Sequence, residues 1–297
     1  MKSNKKIFAL GFFDGVHLGH QTLLYACQRM AGQAGVGTAA ITFENHPQAL
    51  FTKNIPPLIN STADRCRLLQ KYGMDTILTY PVNEAVMGMP WQDFLMELYR
   101  YEGAAGFVCG YDFRFGRKGE GNAEKLRQFC DEYGLVCLVL PEQTLDGIRI
   151  SSTHIRQLIE AGEMEEAEKF LGHPHLLSGQ VVSGRKIGRT IGVPTANVLI
   201  PEGVVIPKLG VYACLCHING QKFAAVTNIG SRPTVEGHQV RAESWILDFE
   251  GDLYGKEITL EFCHFLRPEE KFASLEALRQ EILSNARQTK LLLEGRY

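Results

Sequence analysis

In the first half of the chain, short apolar runs alternate with stretches whose apolar residues recur every three to four positions. Lys6–Gly11, Thr38–Phe43, Thr76–Tyr80, Gly106–Gly110 and Val136–Leu140 read as strands. His20–Gln33, Ala63–Tyr72, Trp91–Tyr101 and Asn122–Tyr133 read as helices, with Leu23, Leu24, Cys27 and Met30 on one side of the first. This order predicts an α/β domain, a parallel sheet with helices on both faces, in which ligands collect at the carboxyl ends of strands. Gly11 and Gly110 end two of those strands.

The pattern changes after Gly172. A helical stretch, Glu163–Leu171, runs into Gly-His-Pro, a stop and linker signal that sets a domain border between 1–172 and 173–297. Beyond it Gly, Pro and Asn punctuate the short β-rich segments Gly179–Ser183, Val211–Ile218, Phe223–Asn228, Val240–Phe249 and Glu257–Phe265. These predict a small antiparallel β-barrel or sandwich. A terminal amphipathic helix, Leu275 to about Leu293, sets Leu275, Leu278 and Ile282 along one stripe.

Composition narrows the function classes. A chain of 297 residues holds two domains, each with its own core. A net charge of −2 without a run of Lys or Arg argues against dedicated nucleic-acid or membrane-surface binding. No apolar stretch reaches membrane-span length, and the basic start Met1–Lys6 precedes too short an apolar run for a signal peptide. The eight cysteines form no CxxC pair and no zinc spacing, so reduced core thiols in a cytoplasmic protein are expected. No feature of the sequence sets an oligomeric state.

The chemistry concentrates in motifs after the strands. GFFDGVHLGH, Gly11 to His20, joins a strand to a helix N-terminus, where free amides and the helix dipole favour an anion. His17 and His20, three apart, can face the same phosphate; Gly15 and Gly19 clear the backbone for close approach. Gly11, Phe13 and Asp14 complete the turn. His46 in TFENHP reads equally as a ligand or as a pre-proline turn residue. In GYDFRFG, Asp112 suits a polar group of a nucleotide or flavin and Arg114 a phosphate, or Phe113 and Phe115 merely anchor the loop. In RISSTHIR, Ser152 or Thr153 can cap the next helix, with Arg149 and Arg156 supplying charge and fork geometry for polyphosphate.

The second half carries its own set. In GQVVSGRKIGRTIGVPTAN, Gly184, Gly188 and Gly192 open the backbone while Arg185, Lys186 and Arg189 bring charge; there is no Walker A loop. Thr195 and Asn197 place hard oxygen donors two residues apart, suited to Mg²⁺, with a solvated β-turn as the bland alternative. On a strand, Arg241, Glu243, Trp245, Leu247 and Phe249 share one face. A half-buried Glu243 is a candidate base for an alcohol proton, or else the partner of a nearby Arg.

Together GFFDGVHLGH, TFENHP, GYDFRFG and ISSTHIR resemble the nucleotidylyltransferases, and more narrowly the FMN adenylyltransferase half of the prokaryotic bifunctional FAD synthetases. That resemblance implies a Rossmann-like fold and HxGH histidines on the ATP phosphates. Asp112, Arg149, Ser152 and Thr153 would join the site. The second half resembles riboflavin kinase through PTAN, GVYA, NIGSRPT, DLYG and LRPEEKF. There the resemblance implies Thr195 and Asn197 on Mg²⁺–ATP and Glu243 as the base for the ribityl 5′-hydroxyl. The implied sequence is riboflavin to FMN, then AMP transfer from a second ATP to give FAD and pyrophosphate. Phe12 stands where many relatives carry Asn, Val193 where Phe is usual and Asn285 where Asp is common; the first strand also starts without the short extension relatives carry. The alternatives are one retained activity, a non-catalytic flavin-binding regulator, or a transferase for another phosphorylated acceptor.

Overall fold

The structure, a computed structural model, describes residues 4–50, 52, 54–184, 188, 192–234 and 237–297. Its contacts divide the chain into two compact units, one of residues 1–58 and 62–151 and the other of 59–61 and 152–297.

In the first unit β1 (Lys6–Leu10), α1 (Leu18–Ala34), β2 (Gly37–Phe43), α2 (Thr62–Lys71), β3 (Thr76–Tyr80), α3 (Glu84–Met87), α4 (Trp91–Arg100), β4 (Ala104–Gly110), α5 (Ala123–Tyr133) and β5 (Val136–Leu140) follow in order. The sheet is parallel with strand order β3-β2-β1-β4-β5. Alternation along the strands sends Phe8, Leu10, Ile41, Phe107 and Cys109 into one core with Phe94, Leu95 and Leu98 of α4 and Leu126 and Phe129 of α5. On the opposite face α1 packs against β1, where the buried Cys27 thiol donates to the Ile7 carbonyl at 3.2 Å. The strands and helices expected here appear within two residues at each end, and Gly106 shows why β4 needs a glycine. A Cβ there would stand 2.3 Å from a Val136 methyl carbon of the adjacent strand. A tight ribbon, β6 (Thr144–Leu145) with β7 (Ile148–Arg149), closes the unit.

The second unit opens with α6 (Ser152–Ala161) and α7 (Met164–Leu171), followed by β8 (His175–Val182), β9 (Ala196–Leu199), β10 (Gly210–Ile218), β11 (Gln221–Thr234), β12 (Gly237–Ile246), β13 (Glu257–Arg267) and α8 (Leu275–Leu292). The six strands close a barrel in the order β10-β11-β12-β9-β8-β13. Of these, β9 went unforeseen: its four residues follow Pro194 and are too few for a period-2 pattern. The sequence border after Gly172 and the contact border after Ser151 differ because α6 packs on α7 and α7 on β8 and β13. Two expectations are corrected. β12 ends at Ile246, yet Leu247 keeps the register one residue further, its amide donating to the Ala224 carbonyl at 2.8 Å and its side chain packing with Trp245; Asp248 then turns with φ 57°, so Phe249 does not continue the ladder. Leu275 is exposed, and the buried stripe of α8 is Asn285, Ala286 and Thr289, with Leu293 beyond its end.

All eight cysteines are free thiols, six of them buried. Burial pushes the Cys27, Cys109, Cys216 and Cys263 thiols up to about 12, which keeps them protonated and inert.

The base of the barrel holds a second titrating group. His175 is buried beside Phe262 with no hydrogen-bond partner at either ring nitrogen. Burial, and secondarily the nearby His173, lowers its pKa from 6.5 to about 3. Protonation therefore favours the unfolded chain: this contribution is complete above about pH 6.5 and is lost as the pH falls toward 3. By pH 5 the loss should reach roughly 2 kcal/mol. Urea midpoints at pH 7.5 and 5 should drop more for the wild type than for His175→Phe; equal drops would contradict the assignment.

Candidate active sites

In the first unit, parallel register brings Leu10 level with Ile41 on one side and Cys109 on the other. The chain therefore leaves β1, β2 and β4 at one edge, where the GFFDGVHLGH turn forms. Phe13 (φ 60°), Gly15 (φ 82°) and Val16 (φ 41°) are all left-handed, a conformation costly for a β-branched residue. Side-chain bonds hold the turn: Thr42 Oγ1 donates to the Phe12 carbonyl at 2.8 Å and Gln21 Nε2 to the Val16 carbonyl at 2.9 Å. The Phe13 ring is wholly buried, and Gly11 leaves room for it, since a Cβ there would meet Phe13 Cζ at 3.0 Å. Asp14 is buried in the same turn.

His17 is the N-cap of α1, its Nδ1 accepting the His20 amide at 3.3 Å. The two imidazoles stack with centroids 3.6 Å apart and planes 14° from parallel. Gly19 makes this possible, because a Cβ there would lie 3.3 Å from the His17 ring. Burial, then His17, then the Arg65 charge hold the His20 pKa well below its ordinary value. The His20 imidazole is thus held neutral at a helix N-terminus, stacked on the His17 ring, where free amides and the helix dipole favour an anion.

Beside it opens a cavity of about 980 Å³ lined by Phe12, Phe43, Phe94, Asp112, Phe113 and Phe115 among others. Phe113 and Phe115 stack at 5.8 Å, so they both anchor the loop and line the cavity. His46 accepts the Gln48 amide through Nδ1 at 3.2 Å and turns its ring edge-on to Phe12. Asp112 is ion-paired with Arg149 at 2.7 Å, and Arg149 also reaches Glu142 at 3.1 Å. Sequence reasoning missed Arg65, Phe43 and Phe94, because their approach to the motif depends on the packing of α2 and α4. In the second unit α6 starts at Ser152, which puts Ser151 rather than Ser152 or Thr153 just ahead of the first helical residue. Arg156 donates to Thr153 Oγ1 at 3.4 Å.

The barrel assembles its site along one row. Asn197 of β9 pairs with Glu243 of β12, Glu243 with Asn228 of β11, Asn228 with Val211 of β10, and Val211 with Arg267 of β13. Opposed residues in an antiparallel ladder share a face, so the row lies on one wall of the barrel. It is the outer wall: Ala242, Ser244 and Ile246 are buried toward the interior, while Glu243 and Trp245 are half-buried beneath α8. A cavity of about 420 Å³ opens there, lined by Thr195, Asn228, Glu243, Trp245, Arg267 and Phe272 among others. Arg267 Nε bonds Asn285 Oδ1 at 3.2 Å and Glu281 Oε1 at 3.1 Å, which fastens α8 to the wall. The departures at Val193 and Asn285 therefore border the cavity itself.

Thr195 and Asn197 lead into and lie on a strand, not a β-turn. Asn197 is buried with its Oδ1 unpartnered, and a Cβ on Gly184 would crowd its amide at 2.5 Å. An orphaned hard oxygen beside a hydroxyl and a carboxylate fits a divalent cation such as Mg²⁺. Gly188 also lines the cavity, and its carbonyl accepts the Val193 amide at 2.8 Å; Gly192 turns with φ 75°. Arg185, Lys186 and Arg189 lie outside the described residues.

These two sites coincide with what known proteins share with the chain. A family model described as FAD synthetase matches residues 1–154, and one described as riboflavin kinase matches 171–293. The bifunctional riboflavin kinase/FMN adenylyltransferase of Listeria monocytogenes serovar 1/2a is 37% identical over 292 residues, covering 96% of this chain and 91% of the relative. The Escherichia coli K12 protein of the same name is 36% identical over 279 residues, 93% of this chain and 89% of its own length. A Streptococcus pneumoniae crystal structure described as a macrolide-efflux protein superposes with a TM-score of 0.85 at 29% identity, over 98% of this chain and 97% of that one. Among the described residues no helix of this chain is long and apolar enough to cross a membrane. The chain belongs to the bifunctional riboflavin kinase/FMN adenylyltransferase family.

Proposed function

We propose that the chain makes FAD in two steps: ATP-dependent phosphorylation of riboflavin at the barrel, then AMP transfer from ATP to FMN at the α/β unit. The observation that carries this reading is the pairing of Glu243 with Asn197 across β9 and β12, which sets a carboxylate beside an orphaned amide oxygen. An alcohol nucleophile keeps its proton until attack, so phosphorylation needs a base in reach. Glu243 takes the proton of the ribityl 5′-hydroxyl as oxygen attacks the γ-phosphorus and ADP leaves. Thr195 and Asn197 would hold Mg²⁺, which supplies charge neutralisation on the phosphates when bound.

The α/β unit meets a different demand. An FMN phosphate oxygen is already an anion, so attack on the ATP α-phosphorus requires positioning and charge stabilisation, with pyrophosphate leaving. His17, His20 and the amides of the Gly11–Gly19 turn supply these. Arg149 belongs to the ATP phosphate set. The aromatic cavity takes the isoalloxazine, with Phe113 on its wall and Asp112 and His46 near its polar edge. The substrates are riboflavin, FMN and ATP; the free thiols and modest net charge support a cytoplasmic enzyme that binds neither nucleic acid nor membrane.

Purified protein with riboflavin, Mg²⁺ and ATP should yield FMN first and FAD later by chromatography. No FMN would refute the kinase assignment, and FMN without FAD the transferase one. Glu243→Ala should cut FMN formation at least ~100-fold while sparing FMN-to-FAD conversion. The double variant His17→Ala/His20→Ala should do the reverse, slowing adenylyl transfer on the order of 10³-fold. Loss of both activities in either folded variant would contradict the two-site division.

A further inference from the structure

Arg65 of α2 enters the chemistry above only through its charge on His20, yet its side chain is wholly buried against the phosphate turn. One terminal nitrogen donates to the Phe43 carbonyl and, at 3.3 Å, to Thr62 Oγ1. Nε and the other terminal nitrogen have no hydrogen-bond partner. Burying a guanidinium with two idle nitrogens is costly, so something else must compensate. Part of that compensation is the charge of the buried Asp14 carboxylate in the turn, and part is a ring face: the guanidinium carbon stands 4.6 Å from the Phe12 centroid. Phe12 lines the aromatic cavity, with His46 edge-on at 5.3 Å and Phe43 at 6.4 Å.

We propose that Arg65 is a positioning residue for the acceptor in adenylyl transfer: it holds the Phe12 ring from behind as the surface on which the flat isoalloxazine of FMN stacks. A cation against one face of a ring fixes its orientation and draws electron density from it, favouring a second π-system on the other side. The peptide of Phe12 belongs to the phosphate turn, pinned by Thr42. One residue therefore sets the distance between the flavin plane and the stacked histidines. This inference rests on the cavity being the FMN site.

The test is steady-state FMN-to-FAD kinetics on the full chain for Arg65→Met, Phe12→Leu, their combination and Arg65→Lys. Each of the first two should raise KM for FMN about tenfold, the order of one lost aromatic or cation–π contact. The KM for ATP and kcat should change far less. The combination should be no worse than the poorer single variant, because both remove the same contact. Arg65→Lys should recover part of the loss, since an ammonium can still sit over the ring. Multiplied effects in the double variant, or equal losses in KM for ATP and in kcat, would mean a merely structural arginine. An unchanged KM for FMN in Phe12→Leu overturns the proposal by itself, and does so even if thermal melts show that Arg65→Met does not fold. A wild-type protein that cannot convert FMN would instead overturn the assignment of the cavity.

Discussion

Strand register decides which residues of this chain can act together. In the α/β unit the parallel pairing of β1 with β2 and β4 brings Leu10, Ile41 and Cys109 abreast. The turn at Gly11, the Thr42 hydroxyl and the loop after Gly110 consequently emerge side by side. In the barrel, antiparallel pairing carries one row from Asn197 through Glu243, Asn228 and Val211 to Arg267. A slip of one residue in β12 would send Glu243 into the interior in the place of Ala242 or Ser244, and the row would be broken.

Given that register, electrostatics separates the two sites. The barrel site keeps a carboxylate half-open beside hard oxygen donors. In the α/β unit the carboxylates near the turn are engaged: Asp112 and Glu142 both pair with Arg149, and Tyr111 donates its hydroxyl to Glu142 at 2.8 Å. These pairs are more than a third exposed, so each is worth little, and in the proposed transfer an arriving phosphate would recruit Arg149 at small cost. The buried Arg65 adds positive charge under the turn without meeting solvent, which places a permanent cation behind a surface meant for anions.

The regular elements were readable from periodicity because each half-buried helix or strand must repeat its apolar residues at its own period. The first unit's strands and helices were read this way, whereas the HxGH turn came from its residue types, and Thr195, Asn197 and Glu243 as a set from the resemblance to riboflavin kinase. What escaped was of a different kind. β9 is too short for a pattern, and Phe249 looked like a continuation of β12 because the left-handed Asp248 that breaks the ladder is not a glycine. Arg65 sits in a helix that reads as ordinary and amphipathic; only packing shows that Asp64 and Arg65 are buried along with Leu68 and Leu69. The position of Asn285 was noted as a departure, but its bond to Arg267 joins residues 18 apart in sequence and needed the barrel to be closed.

The need for two sites on one chain follows from the nucleophiles. Riboflavin offers an alcohol, whose proton must have somewhere to go; FMN offers a phosphate that has none to lose. A carboxylate base 4 Å from an FMN phosphate would oppose its binding by roughly 1 kcal/mol in water and about 4 kcal/mol at the effective dielectric of a protein surface. The arrangement that helps the first reaction would therefore hinder the second. His17 and His20 avoid this conflict: stacked at 3.6 Å, they carry no negative charge to repel an anion, and burial holds the His20 pKa well below its ordinary value. Glu243 could not serve at that turn, where its carboxylate would repel the very phosphate that the helix N-terminus favours.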